Sequence, residues 1–108
     1  MLKKEKIIFP FYLDNMDIQQ ENNTDYGEFY IEEKGERVAE LAYSWRDGTT
    51  LSLDHTEVDE SLEGKGVGRQ LVAAAVAYAR ENNYKIVPVC SYAKSVFKRV
   101  QEYSDVLA

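Results

Sequence analysis

The chain has 108 residues, 44% hydrophobic and 30% charged, and its 13 basic and 19 acidic side chains leave a formal charge of −6. That length suits one domain able to bury roughly two-thirds of its unfolded surface without staples, and the composition excludes wholesale disorder. One cysteine and one histidine exclude a disulfide framework and a multi-cysteine metal cage, the acidity argues against a nucleic-acid grip, and no apolar run approaches the roughly 20 residues of a membrane span.

Lys3-Lys4-Glu5-Lys6 followed by Ile7-Ile8-Phe9 imitates the start of a secretion signal, but Pro10 and Asp14 cut the apolar stretch short. A soluble protein of a reducing, cytoplasmic compartment is expected. Ile7 to Leu13 is rich in strand formers, and Pro10 restricts it to an edge strand or an arm. Gln19 to Asp25 is polar and predicts a loop. Gly27 to Glu33 alternates, with Phe29 and Ile31 on one face, and Lys34-Gly35-Glu36 turns the chain. Arg37 to Trp45 follows, with Val38, Leu41, Tyr43 and Trp45 apolar, and Asp47-Gly48 is a strong hairpin signal. In Thr49 to Val58, a strict period of two sets Leu51, Leu53 and His55 on one face and Thr50, Ser52 and Asp54 on the other. These three strands predict an antiparallel meander.

From Val67 the apolar residues fall at 67, 71, 74, 75 and 78, the spacing of one helix face. The helix is predicted over 66–82, with Arg80 suiting its C-terminus and Asn82-Asn83 a left-handed stop. Ile86 to Cys90 reads as a short buried strand, over 85–90, and a last helix runs from Tyr92 to about Gln101. No repeat or linker divides the chain. It reads as a single domain over 1–108, with 1–26 an N-terminal extension or edge-strand arm and 27–108 the core.

Glu63-Gly64-Lys65-Gly66-Val67-Gly68-Arg69 joins the meander to the helix. Alternate glycines permit positive φ and let a ligand reach the backbone. The helix start lacks a Ser, Thr, Asp or Asn cap, so its first amides have no evident partner. Lys65 and Arg69 add positive charge where the macrodipole is already positive. Together these features describe an anion site, most simply for phosphate. The plainer alternative is a solvated glycine turn whose cations pair with Glu60 and Glu63. The spacing fails both the Walker pattern and the dinucleotide fingerprint.

Val58 through Gly68 resembles motif A of the GNAT acetyltransferase superfamily, in which the amides of R/Q-x-x-G-x-G/A hold the pyrophosphate of acetyl-CoA. Gly66-Val67-Gly68 matches the glycine portion, and Glu63 stands at the R/Q position. The chain is closer still to the minimal GNAT-like proteins, sharing His55-Thr56-Glu57-Val58, the Gly-x-Gly-x-Gly loop and Cys90-Ser91-Tyr92. The resemblance covers about Tyr30 to Leu107. It implies an α+β, GNAT-like fold: a mixed sheet with an antiparallel N-terminal meander, a pyrophosphate-loop helix, a splayed parallel strand and a C-terminal helix. It also implies acetyl-CoA as cosubstrate, no metal, and Val58, Gly64, Lys65, Gly66, Val67, Gly68 and Arg69 as the residues that bind it.

The family's N-x-x-A-x-x-x-Y segment reads Cys90, Ala93 and Phe97 here, so the tyrosine that protonates departing CoA is missing. Cys90 is either a small buried hydrophobe or a nucleophile favoured by a helix N-terminus, and the resemblance implies a site residue. His55 is either a hydrogen-bonded core histidine or the general base, a role suited to imidazole. Tyr92 is the remaining candidate acid. The leading expectation is an acetyl-CoA-dependent N-acetyltransferase acting on a primary amine of a small molecule or flexible peptide. The alternatives are a CoA-binding module with little or no catalysis and a small interaction domain without a ligand. No nucleic acid or membrane partner is expected, and the chain should be a monomer or weak dimer. Most GNAT chains add two strands after this last helix; with Ala108 as the last residue, the acceptor side is expected to be open and poorly selective.

Overall fold

The stretches of period two pair into one sheet, and the stretches of helical period cover its apolar face. The structure is a computed structural model describing the backbone of residues 3–7 and the whole of residues 17–108. Among these residues the strands are β1 (Lys3–Ile7), β2 (Ile18–Asn22), β3 (Tyr26–Glu33), β4 (Glu36–Asp47), β5 (Thr50–Val58) and β6 (Lys85–Pro88), lying in the sheet in chain order. β1 to β5 are antiparallel neighbours, while β6 returns parallel to β5 after helix α1 (Val67–Asn82). Helix α2 (Ser91–Arg99) and a 3-10 segment, Gln101–Val106, follow. The α+β meander, helix, parallel strand and helix are therefore present as the sequence predicts.

Alternation on β3, β4 and β5 buries Phe29, Ile31, Leu41, Tyr43, Leu51 and Leu53 against Leu71, Val72, Ala75 and Ala79 of α1. Alanines on that helix face let its backbone approach the sheet closely. At the far end, Arg80 donates to both Asp105 carboxylate oxygens at 3.0 and 2.8 Å, and Lys85 Nζ donates to the Asp105 carbonyl at 2.7 Å. Leu107 bridges to Ile86, so the segment after α2 lies along β6.

Two expectations need correction. Gln19 to Asp25 is not all loop, because β2 runs through Asn22 and pairs with both β1 and β3. Its inward positions are Ile18 and Gln20, both buried. Gln20 tolerates burial because its Nε2 donates to the Tyr43 hydroxyl at 2.7 Å. That hydroxyl donates to Asn22 Oδ1 at 2.9 Å, which also accepts the Trp45 indole N–H at 3.0 Å. The sheet thus continues across the expected 26/27 boundary. Of the expected Ile7–Leu13 arm, Ile7 ends β1 and the remainder lies outside the described residues.

The second correction concerns His55. Tyr43 pairs with Leu53 but Ala42 pairs with His55, leaving Asp54 as the extra residue of a β-bulge. The Asp54 carboxylate accepts hydrogen bonds from Ser44 Oγ at 2.7 Å and Ser52 Oγ at 2.5 Å. The bulge resets the alternation, so Thr56 and Val58 turn toward α1 while His55 and Glu57 turn outward. His55 is not a core histidine: its side chain is 63% exposed, 3.4 Å from Glu57.

Candidate active site

β6 pairs with β5 only from Thr50 to Leu53. Pairing stops because the N–H groups of Val89 and Cys90 both converge on the Leu53 carbonyl, each at 3.0 Å. The two strands then part, with Thr56 and Val58 on β5 flanking the opening. Cys90 immediately becomes the N-cap of α2. Its Sγ accepts the Ala93 N–H at 3.4 Å and lies 3.5 Å from Thr56 Oγ1.

The loop that follows β5 is turned by glycine. Gly64 and Gly66 take φ of +80° and +73°, a region where a Cβ is strained. Gly66 is the N-cap of α1, which has no side-chain cap and no acidic residue in its first turn. The helix ladder begins only at Gln70, whose N–H bonds the Gly66 carbonyl at 3.1 Å. The amides of Val67, Gly68 and Arg69 therefore have no intrahelical acceptor. The Arg69 guanidinium folds back over Gly66, 3.4 Å from where a Cβ on that glycine would stand. Similarly, a Cβ on Gly68 would meet the Tyr92 hydroxyl at 2.7 Å.

These features line a hollow of about 330 Å³. It runs from Thr56 and Val58 past Leu62 and Glu63 to Gly64, Gly66, Val67 and Gly68, with Tyr92 closing one side. Lys65 and Arg69 are exposed beside it. Burial pushes the Tyr92 phenol above its ordinary pKa against the opposing fields of Arg69 and Arg99, so it stays protonated. The structure thus brings together Val58, Gly64, Gly66, Val67, Gly68 and Tyr92, with Lys65 and Arg69 adjoining. It sets Cys90 behind Thr56 at the parted strands, and His55 on the other face of the sheet.

Sequence reasoning missed two residues. Thr56 follows from the bulge, which no period-two reading contains. Arg99 was legible, lying seven residues after Tyr92 and hence two turns along the same face of α2. A larger hollow, about 660 Å³, lies at the opposite end of β5, with Trp45, Tyr78 and Tyr84 among its walls. Arg46 and Asp47, of opposite charge, also line it. Among the described residues no cluster of His, Cys, Asp or Glu could hold a metal ion, and no helix is long and apolar enough to cross a membrane.

A mixed sheet parted at one parallel pair, with a glycine-turned helix start beside the gap, is the architecture of one class of acyltransferase. The model of the GCN5-related N-acetyl-transferase family matches residues 28–106, and the chain belongs to that family. Protein NATD1 of Xenopus tropicalis is 30% identical over 91 residues, covering 80% of this chain and 84% of that protein. A GCN5-like protein of Staphylococcus aureus, solved by NMR in solution, superposes with a TM-score of 0.68 at 37% identity, covering 89% of this chain and 91% of its own. A GNAT family acetyltransferase of Elizabethkingia anophelis, solved with acetyl-CoA bound, shares the fold at a TM-score of 0.56 and 15% identity, over 94% of this chain and 74% of its own.

Proposed function

We propose that this chain transfers acetyl from acetyl-CoA to a primary amine carried by a small molecule or a flexible peptide end. The observation that carries the reading is the continuous path from the uncapped start of α1, along Val58 and Thr56, to the parting of β5 and β6. The hollow suits the cosubstrate: Gly66 and Gly68 bare the backbone where phosphate needs donors, and Lys65 and Arg69 supply charge beside it. When bound, acetyl-CoA supplies an activated thioester.

The amides of Val67, Gly68 and Arg69 hold phosphate, while Val58 and Leu62 give apolar contact to the pantetheine arm. Thr56 and Cys90 stand at the acyl end, where the thiol is fixed by the Ala93 N–H and the Thr56 hydroxyl. His55, exposed on the stretch of β5 that β6 leaves uncovered, accepts the proton of an amine arriving from the outer face of the sheet. A charge of −6 raises the local concentration of cationic amines without choosing among them. Catalysis consists mainly of orienting the thioester and amine. Cytoplasmic placement accords with a single unpaired cysteine.

One observation favours a second reading, a CoA-binding module with little catalysis. At the position of the family's tyrosine acid stands Phe97, buried and packed on Tyr103 at 5.8 Å. Turnover of acetyl-CoA against a panel of amines separates the two. His55→Ala and Cys90→Ala should each lower turnover at least tenfold, since positioned proton transfer typically contributes about 10²-fold or more, with acetyl-CoA affinity within a few-fold of the parent. Saturable binding without turnover would favour the module, and parental turnover in both variants would remove both residues from the mechanism.

A further inference from the structure

Tyr92 is the remaining tyrosine near the site, and its sequence position two residues after Cys90 suggests the acid that protonates departing CoA. Its place in the structure suggests different work. The side chain crosses to α1, its ring lying over Gly68 with Cζ and Cε2 at 2.8 and 2.9 Å from a Cβ position there. The hydroxyl, at 2.7 Å from that position, is the closest of these atoms to the second residue of α1. It therefore stands over the helix's first turn, among the amides that have no intrahelical acceptor. On the neighbouring glycine, Gly66, the Arg69 guanidinium takes the matching place. The hydroxyl makes no hydrogen bond with any described residue, and the hollow it borders is the one lined by Gly64, Gly66 and Gly68.

We infer that the Tyr92 hydroxyl is a phosphate-binding donor, gripping the nucleotide end of CoA together with the α1 amides and Arg69, and is not the acid at the thioester end. This rests on the acetyl-CoA reading above. A phenol can donate to phosphate only while protonated, and burial holds Tyr92 in that form. Gly68 is then fixed for two reasons at once: it bares the helix amide to the ligand and leaves room for the ring that supplies the next donor.

Tyr92→Phe tests the inference cleanly, because the ring stays over Gly68 and only the donor is removed. Calorimetry would compare the parent and the variant with 3′-phosphoadenosine 5′-diphosphate, the nucleotide half of CoA. Turnover at saturation would be compared with S-acetylpantetheine, which lacks that half. The expected result is about tenfold or greater loss of nucleotide affinity in Tyr92→Phe, an unchanged melting temperature, and a pH profile of S-acetylpantetheine turnover of the same shape as the parent's. Equal nucleotide affinity in parent and variant overturns the inference. So does a fall in saturated S-acetylpantetheine turnover with loss of the alkaline limb of its pH profile, which would restore the acid. If the parent itself binds neither acetyl-CoA nor the nucleotide, the acetyl-CoA reading falls first and the inference with it. The binding arm decides whether or not the chain turns over an amine.

Discussion

Gly68→Ala is the substitution whose outcome departs most from general expectation. Gly68 is the second residue of α1 and has no positive φ, so alanine should stabilise the helix by about 0.5–1 kcal/mol. The added methyl, however, would lie 2.7–2.9 Å from three atoms of Tyr92, against roughly 3.5–4.0 Å for a comfortable carbon contact. Overpacking of this kind costs about 1–3 kcal/mol. The sum is a net loss of about 0–2.5 kcal/mol, and each kcal/mol lowers Tm by about 4–8 °C in a domain near this size. Removing the ring should reverse the sign: on a Tyr92→Ala background, Gly68→Ala should raise Tm. The double-mutant cycle should return a coupling of about 1–3 kcal/mol, read from thermal or denaturant melts of the four proteins. Equal stabilisation by Gly68→Ala on both backgrounds would refute the proposed packing of α2 over the start of α1.

Gly66→Ala should also destabilise, but for a conformational reason, since its φ is +73° and a Cβ there meets nothing closer than 3.4 Å. A loss of about 1–2 kcal/mol is expected, partly recovered in Gly66→Asn, and a Tm equal to the parent's would contradict it. The Asp105 carboxyl is held below its ordinary value, chiefly by the hydrogen bond from Arg80. A depressed folded pKa stabilises above the ordinary aspartate value and ceases to as pH falls through the folded one, so melting temperatures of parent and Asp105→Asn should differ at neutral pH and converge in acid. A gap that persists in acid would argue against the pairing.

The helical half was legible because its period is long and its breakers are plain: Gly64 and Gly66 before α1, Asn83 after it, and a β-rich run ending at Cys90. The meander was legible where alternation held. It failed at Gln20, because a polar side chain at an inward position looks like a loop until Tyr43, 23 residues away, is seen to bond it. His55 failed for a different reason: the Asp54 bulge adds one residue, and one residue moves every later side chain to the opposite face. That single shift exposes His55 and brings Thr56 to the parted strands. The Tyr92–Gly68 contact joins two helices 24 positions apart and leaves no mark in either segment alone.

Phosphate held at the start of α1 is the central claim, and calorimetric titration with acetyl-CoA tests it most directly. The parent should bind saturably at one site. Lys65→Glu with Arg69→Glu, both at exposed positions, should weaken binding well over tenfold, since charge-assisted hydrogen bonds contribute about 1.5–3 kcal/mol each when made, and should leave the melting temperature near the parent's. Parental affinity in that double variant, or no binding by the parent, would contradict the account.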